Sequence, residues 1–128
     1  MRVRVALGLL FSVSFFMVVL SWQAASAQVK SEEAAKVRAA AENYVKQEQQ
    51  LKGGFFLRGP DKVTRDLQFD FVHKDVEAAS GDQNVVCVDF LDQSKKRLDI
   101  DFYLSPNTSG GYDVKQLKVH KIDGVEQK

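Results

Sequence analysis

The stretch from residue 85 to 104, VVCVDFLDQSKKRLDIDFYL, constrains the fold more than any other part of the chain. Val86, Val88 and Phe90 alternate with other residues before a polar centre, and Leu98, Ile100, Phe102 and Leu104 alternate after it. Period-two alternation rich in β-branched and aromatic side chains marks half-buried strands, and residues 92–97 read as the turn between them. A hairpin alone is marginal in water. The rest of the chain must therefore supply further strands and a cover.

The cover comes first. Ser31, Glu32 and Glu33 suit a helix start, where a hydroxyl can cap free amide groups and acids face the positive end of the helix dipole. Ala34, Val37, Ala41, Tyr44 and Leu51 recur at helical spacing, with Ala40 and Val45 widening the stripe. Glu32 with Lys36, Glu42 with Lys46 and Glu48 with Lys52 lie one turn apart, acid first, the stabilising order. Gly53 and Gly54 end the helix. Phe55, Phe56 and Leu57 form either a short edge strand or a plug beneath it, and Gly59, Pro60 and Asp61 make a turn.

Leu67, Phe69 and Phe71 alternate with Gln68 and Asp70, which predicts a first long strand that fades toward Val76. A turn at residues 80–84 leads into the central hairpin, and a loop at residues 105–111 leads out of it. Tyr112 and Val114 then share one phase while Leu117 and Val119 share the other. One extra residue near Lys115 and Gln116, a β-bulge, accounts for that slip. The polar tail after Gly124 is expected to fray.

The first 27 residues read as a removable leader. Arg2 and Arg4 precede an apolar run from Val5 to Leu20, and Ala25, Ser26 and Ala27 form a small-residue cleavage site. An uncleaved membrane anchor is the alternative, because the run approaches the length of about 18 residues that spans a bilayer. The expected organisation is a signal peptide over residues 1–27 and one domain over residues 28–128, in the periplasm or secreted, with no membrane association after cleavage. Without Arg2 and Arg4 the 18 basic residues fall to 16 against 17 acidic ones, so the domain lacks the field that nucleic-acid binding requires. Cys87 is the only cysteine, which excludes an internal disulfide and leaves it buried and inert or bridging a homodimer.

The order of elements predicts an α+β fold: one N-terminal helix on one face of a four-stranded antiparallel meander sheet. This arrangement resembles the cystatin-like group of folds, with which small domains of the nuclear-transport-factor-like type are also compared. The likeness spans the whole region after the leader and is architectural. Gln83 and Val85 match two positions of the cystatin Q-x-V-x-G loop, but Cys87 stands where that motif has glycine. A Pro-Trp second loop is absent, the one tryptophan being Trp22, so protease inhibition is not implied.

Phe69-Asp70-Phe71, Val88-Asp89-Phe90 and Ile100-Asp101-Phe102 repeat one local pattern, two apolar residues on one face and an aspartate on the other. Asp89 must then meet Asp101 or Asp99 across the hairpin, depending on the turn. Like charges directly opposite are destabilising. Lys115 and Lys118 on the last strand are the simplest neutralisers, and a divalent cation held by Asp70, Asp89, Asp99 and Asp101 is the sharper alternative. Calcium takes about 6 to 8 oxygens, more than a flat strand surface offers. His73 and His120 fall on different strands without zinc-ligand spacing, and no nucleophile or phosphate-loop motif is present. No enzyme activity, cofactor or metal is expected.

Val72, Val85, Cys87, Leu91 and Tyr103 share the aspartates' phase, which suggests a docking surface unless the tail or the segment 55–60 folds over it. The expected function is an exported, non-enzymatic adaptor that docks a protein partner through the open sheet face or a free edge. The residues expected to contact the partner are Asp70, Val72, Cys87, Asp89, Leu91, Asp99, Asp101 and Tyr103. The competing expectation is a carrier of a small hydrophobic ligand, with a cavity between helix and sheet lined by Phe69, Phe71, Phe90 and Phe102.

Overall fold

Gly53, at φ 75°, takes the left-handed turn that separates the helical part of the chain from the extended part, and its N–H bonds back to the Gln49 carbonyl. The computed structural model describes residues 29–128; the leader expected over residues 1–27 lies outside them. Helix α1 runs Ser31–Lys52, followed by β1 Phe55–Arg58, β2 Thr64–Ala78, β3 Asn84–Leu91, β4 Arg97–Pro106, β5 Tyr112–Ile122 and β6 Val125–Glu126. The strands lie in sequence order in one open antiparallel sheet. The α+β class is as expected, but the sheet has six strands rather than four.

Both extra strands are short edges. Phe55, Phe56 and Leu57 pair with β2, so this segment is a strand and not a plug. The tail does not fray either: Val125 and Glu126 pair with β5, and the Gln127 N–H bonds to the His120 carbonyl at 2.8 Å. Edge placement of both segments leaves the sheet face opposite the helix uncovered among the described residues.

The helix buries Val37, Ala41 and Val45 against the sheet. Burying a valine side chain stabilises by about 1.5–3 kcal/mol over leaving it exposed, and Ala41 allows close approach. Leu51 lies beyond the sheet's reach and is 80% exposed, contrary to the expected stripe. Ser31 is the first helical residue, and no side chain caps the start; Lys30 occupies the cap position. The helix is instead tied to the sheet by Glu33, whose Oε1 accepts bonds from the Tyr112 hydroxyl at 2.8 Å and from Asn84 Nδ2 at 3.4 Å. The three acid-first pairs on its outer surface form as expected.

Aromatic rings fill the space under the helix. Phe55 stacks on Phe90 with centroids 4.9 Å apart, Phe90 and Phe102 stack at 6.2 Å, and Tyr44 meets both Phe55 and Phe102 edge-on. Val86, Val88, Leu98, Ile100 and Leu104 complete this layer. The core therefore rests on the regular hairpin β3–β4, whose pairing runs unshifted from Asn84↔Leu104 to Leu91↔Arg97.

Candidate functional site

On the uncovered face that same register sets Asp89 opposite Asp99 and Cys87 opposite Asp101. The turn is thus the tighter of the two geometries compatible with the alternation. Its conformation comes from Asp92, whose Oδ1 accepts the N–H groups of Ser94 and Lys96 at 2.8 and 2.9 Å.

Asp89 is only 4% exposed, so its carboxylate must be paired. Arg97 Nη1 lies 2.7 Å from Asp89 Oδ2 and 2.9 Å from Asp70 Oδ2, while His73 Nε2 lies 2.7 Å from Asp89 Oδ1. Asp89 is thus neutralised by neither Lys115 nor Lys118; of that expected pair, Lys118 does face the aspartate row, beside Asp101. Lys115 turns to Asp113 on its own strand, 3.5 Å away, while Lys118 stands in register with Asp101 and Lys121 with Asp99.

Irregular pairing on both sides of the hairpin brings the two histidines to this face. In β2, Asp70 is an extra residue between Phe69↔Phe90 and Phe71↔Asp89, and His73, Lys74 and Asp75 together oppose Cys87. Bulges re-aim side chains, and here they reverse two expected positions. Val72 turns inward against the core, whereas Phe71, expected inside, is 45% exposed on the outer face and stacks on the His73 ring at 5.0 Å. In β5 the expected slip at Lys115 is present, and a second shift makes His120 the extra residue. His120 Nδ1 lies 3.7 Å from Asp101, and its Nε2 lies 3.8 Å from Glu126.

His73 and His120 line a groove of about 430 Å³ together with residues of the central hairpin, Cys87, Asp99, Asp101 and Tyr103, and with one lysine, Lys121. Of the eight expected contact residues, Cys87, Asp99, Asp101 and Tyr103 line it, and Asp89 lies buried beside it. Asp70 is engaged with Arg97, and Leu91 borders a separate hollow with Gln68 and Asp92 at the end of the sheet. From the sequence, His73 and His120 are set aside for want of ligand spacing, Phe71 is expected inside, and Arg97 is not singled out. The sole signal for His73 is the polar triplet between Val72 and Val76, too long for one alternation step.

Burial, then the carboxylates of Asp101, Asp99 and Asp89, pushes the Cys87 thiol up to about 12. It is protonated at neutral pH, a poor nucleophile. Burial also raises Asp101, against the opposing effects of His120 and Lys118. His73, Cys87 and Asp89 place their ligating atoms within 4.8 Å of one another. No such convergence joins Asp70, Asp89, Asp99 and Asp101 among the described residues, so the four-aspartate calcium cage does not form.

No family model, curated protein or solved structure matches the chain. A wider groove of about 730 Å³ runs between α1 and the start of β5, lined by residues such as Lys36, Ala40, Tyr44, Asn107 and Tyr112. It gathers no set of ligating or acid–base side chains comparable with the outer face. The four phenylalanines expected to line a carrier cavity do not share a space: Phe90 and Phe102 are fully buried in the ring stack and Phe71 is on the opposite face.

Proposed function

We propose that the chain is an exported, non-enzymatic binding domain that receives an extended, cationic segment of a protein partner in the groove of its outer sheet face. One observation carries this reading: an uncovered groove lined by four carboxylates, Asp75, Glu77, Asp99 and Asp101, against one lysine, Lys121, with Tyr103 in its lining and the exposed ring of Phe71 on the same face. Clefts with carboxylates in excess draw in cationic groups, and the aromatic faces add contact area for lysine and arginine stems. Export follows from the leader expected over residues 1–27. The helix-on-sheet layering is in keeping with the cystatin-like group, and the binding surface proposed for this chain is the face away from its helix.

A photo-crosslinking residue placed at Tyr103 in the full chain, compared with one at Leu51 on the exposed helix side, tests the proposal. The expected product at position 103 is a covalent adduct to a lysine- or arginine-rich peptide of another protein, identified by mass spectrometry. Asp99→Lys with Asp101→Lys abolishes it, and position 51 gives none. Equal labelling at both positions, insensitivity to charge reversal, or an adduct to a second copy of this chain would refute the reading.

A further inference from the structure

We propose that His73, Cys87 and Asp89 form a binding site for a divalent transition-metal ion of the zinc type, with its remaining coordination position open to the groove. His73 Nε2, Cys87 Sγ and one Asp89 oxygen lie within 4.8 Å of one another. Zinc bonds of about 2.0–2.3 Å place tetrahedral donors roughly 3–4 Å apart, so the three atoms need only small adjustments to meet on one ion. Nitrogen, sulfur and carboxylate oxygen together are a zinc-type donor set, whereas calcium and magnesium require oxygen alone.

The supporting shell is already in place. Cys87 and Asp89 stand on the unshifted hairpin, and the irregular pairing of β2 carries His73 over to them. Arg97 Nη1 holds Asp89 Oδ2 at 2.7 Å, which fixes the carboxylate and leaves Oδ1, the oxygen facing His73, for an ion. Asp99 and Asp101 line the approach together with Lys121, which stands in register with Asp99. An entering cation replaces the hydrogen bond between His73 Nε2 and Asp89 Oδ1. The Cys87 proton and the Nε2 proton that His73 donates to Asp89 are both displaced to exchange with solvent, so the bound imidazole carries its one proton on Nδ1.

The site stands independently of any protein partner, so it can be tested in isolation. Protein purified from cells expressing the full chain is stripped with chelator and titrated with Co²⁺, then with Zn²⁺. The expected result is one equivalent of Co²⁺ bound with near-ultraviolet thiolate-to-metal absorption, bleached by Zn²⁺, and a shift of the His73 ring signals in NMR, which His73→Gln assigns because the chain has two histidines. Cys87→Ser removes the absorption, and each variant weakens Zn²⁺ binding about 100-fold or more. Absence of thiolate absorption, or Zn²⁺ affinity within about threefold of the parent in both variants, overturns the proposal. Should a variant fail to fold by circular dichroism, the parent protein's thiolate absorption still decides, because Cys87 is the chain's one thiol.

Discussion

Phe71 and Phe102 occupy matching places in the repeated apolar-Asp-Phe pattern, yet the structure gives them opposite fates, and truncating each to alanine measures the difference. Phe102 is fully buried and touches three rings: Tyr44 edge-on at 6.2 Å, Phe55 at 6.4 Å and Phe90 at 6.2 Å. Phe→Ala in a core costs about 3–5 kcal/mol, and aromatic pairs contribute about 0.5–1.5 kcal/mol each beyond area, which places Phe102→Ala near the upper end. That is a large share of the roughly 5–15 kcal/mol by which such domains are stable. Phe71 is 45% exposed and stacks only on the His73 ring, so Phe71→Ala is expected within about 0.5 kcal/mol of the parent. Urea unfolding followed by circular dichroism reads both. At a slope of about 2 kcal/mol/M, Phe102→Ala lowers the midpoint by about 2 M and Phe71→Ala leaves it nearly unmoved. If Phe102→Ala fails to fold, Phe102→Leu gives a smaller loss of about 0.5–3 kcal/mol by the same assay. Equal losses for Phe71 and Phe102 would refute the bulged register of β2.

Asp89→Asn is expected to cost about 2 kcal/mol in the same unfolding assay, since it weakens charge-assisted bonds from Arg97 and His73, whereas Asp99→Asn relieves a like-charge pair and costs nothing. Asp61 is held down to about 2 from the usual carboxylate value of 3.8, chiefly by its hydrogen bond with Arg65. Its folded value lies below its unfolded one, so its contribution is complete above about pH 4 and is lost as pH falls toward about 2. Unfolding midpoints measured from about pH 5 down to about pH 2 should therefore fall less steeply in Asp61→Asn than in the parent. Gly53→Ala meets no atom within 4 Å, so its expected loss of about 1 kcal/mol is conformational and comes from the left-handed backbone alone. Thermal melts that show no loss would mean the helix end relaxes to another cap.

The sequence made the helix, its acid-first pairs and the central hairpin legible because each is written in a local period. Even the slip at Lys115 could be read, since apolar residues on both sides of it report the phase. The edge strands were harder: β1 could be read only as an edge strand or a plug, and β6 not at all, because four residues and two are too few to show alternation. The face of Phe71 and Val72 was hidden for a different reason. A residue added within β2 exchanges the faces of all that follow, and Asp70 looks like any outward polar residue until its partner strand is known. The pairing of Asp89 with His73, 16 positions away, was likewise invisible because it crosses that shifted register, while Arg97, 8 positions away on the unshifted hairpin, reads in the sequence only as the end of the turn.

The sheet's irregularities and its chemistry fall in the same place, and the cause is mechanical. β3 and β4 pair without interruption because their inner side chains hold the ring stack under α1, so Cys87, Asp89, Asp99 and Asp101 stand on a fixed floor. β2 and β5 are free to bulge beside that floor, and His73 and His120 both fall where they do. A bulge bends its strand and turns a side chain across its neighbour, so the two flanks curl a flat sheet into a groove with a histidine at each border. Acidic residues below and imidazoles at the sides are the combination on which both proposed ligands depend: a cation meets the carboxylates of the hairpin from beneath and a ring from the flank. Removing the extra residue at His120 should flatten one border and leave the core pairing intact, separating groove shape from stability.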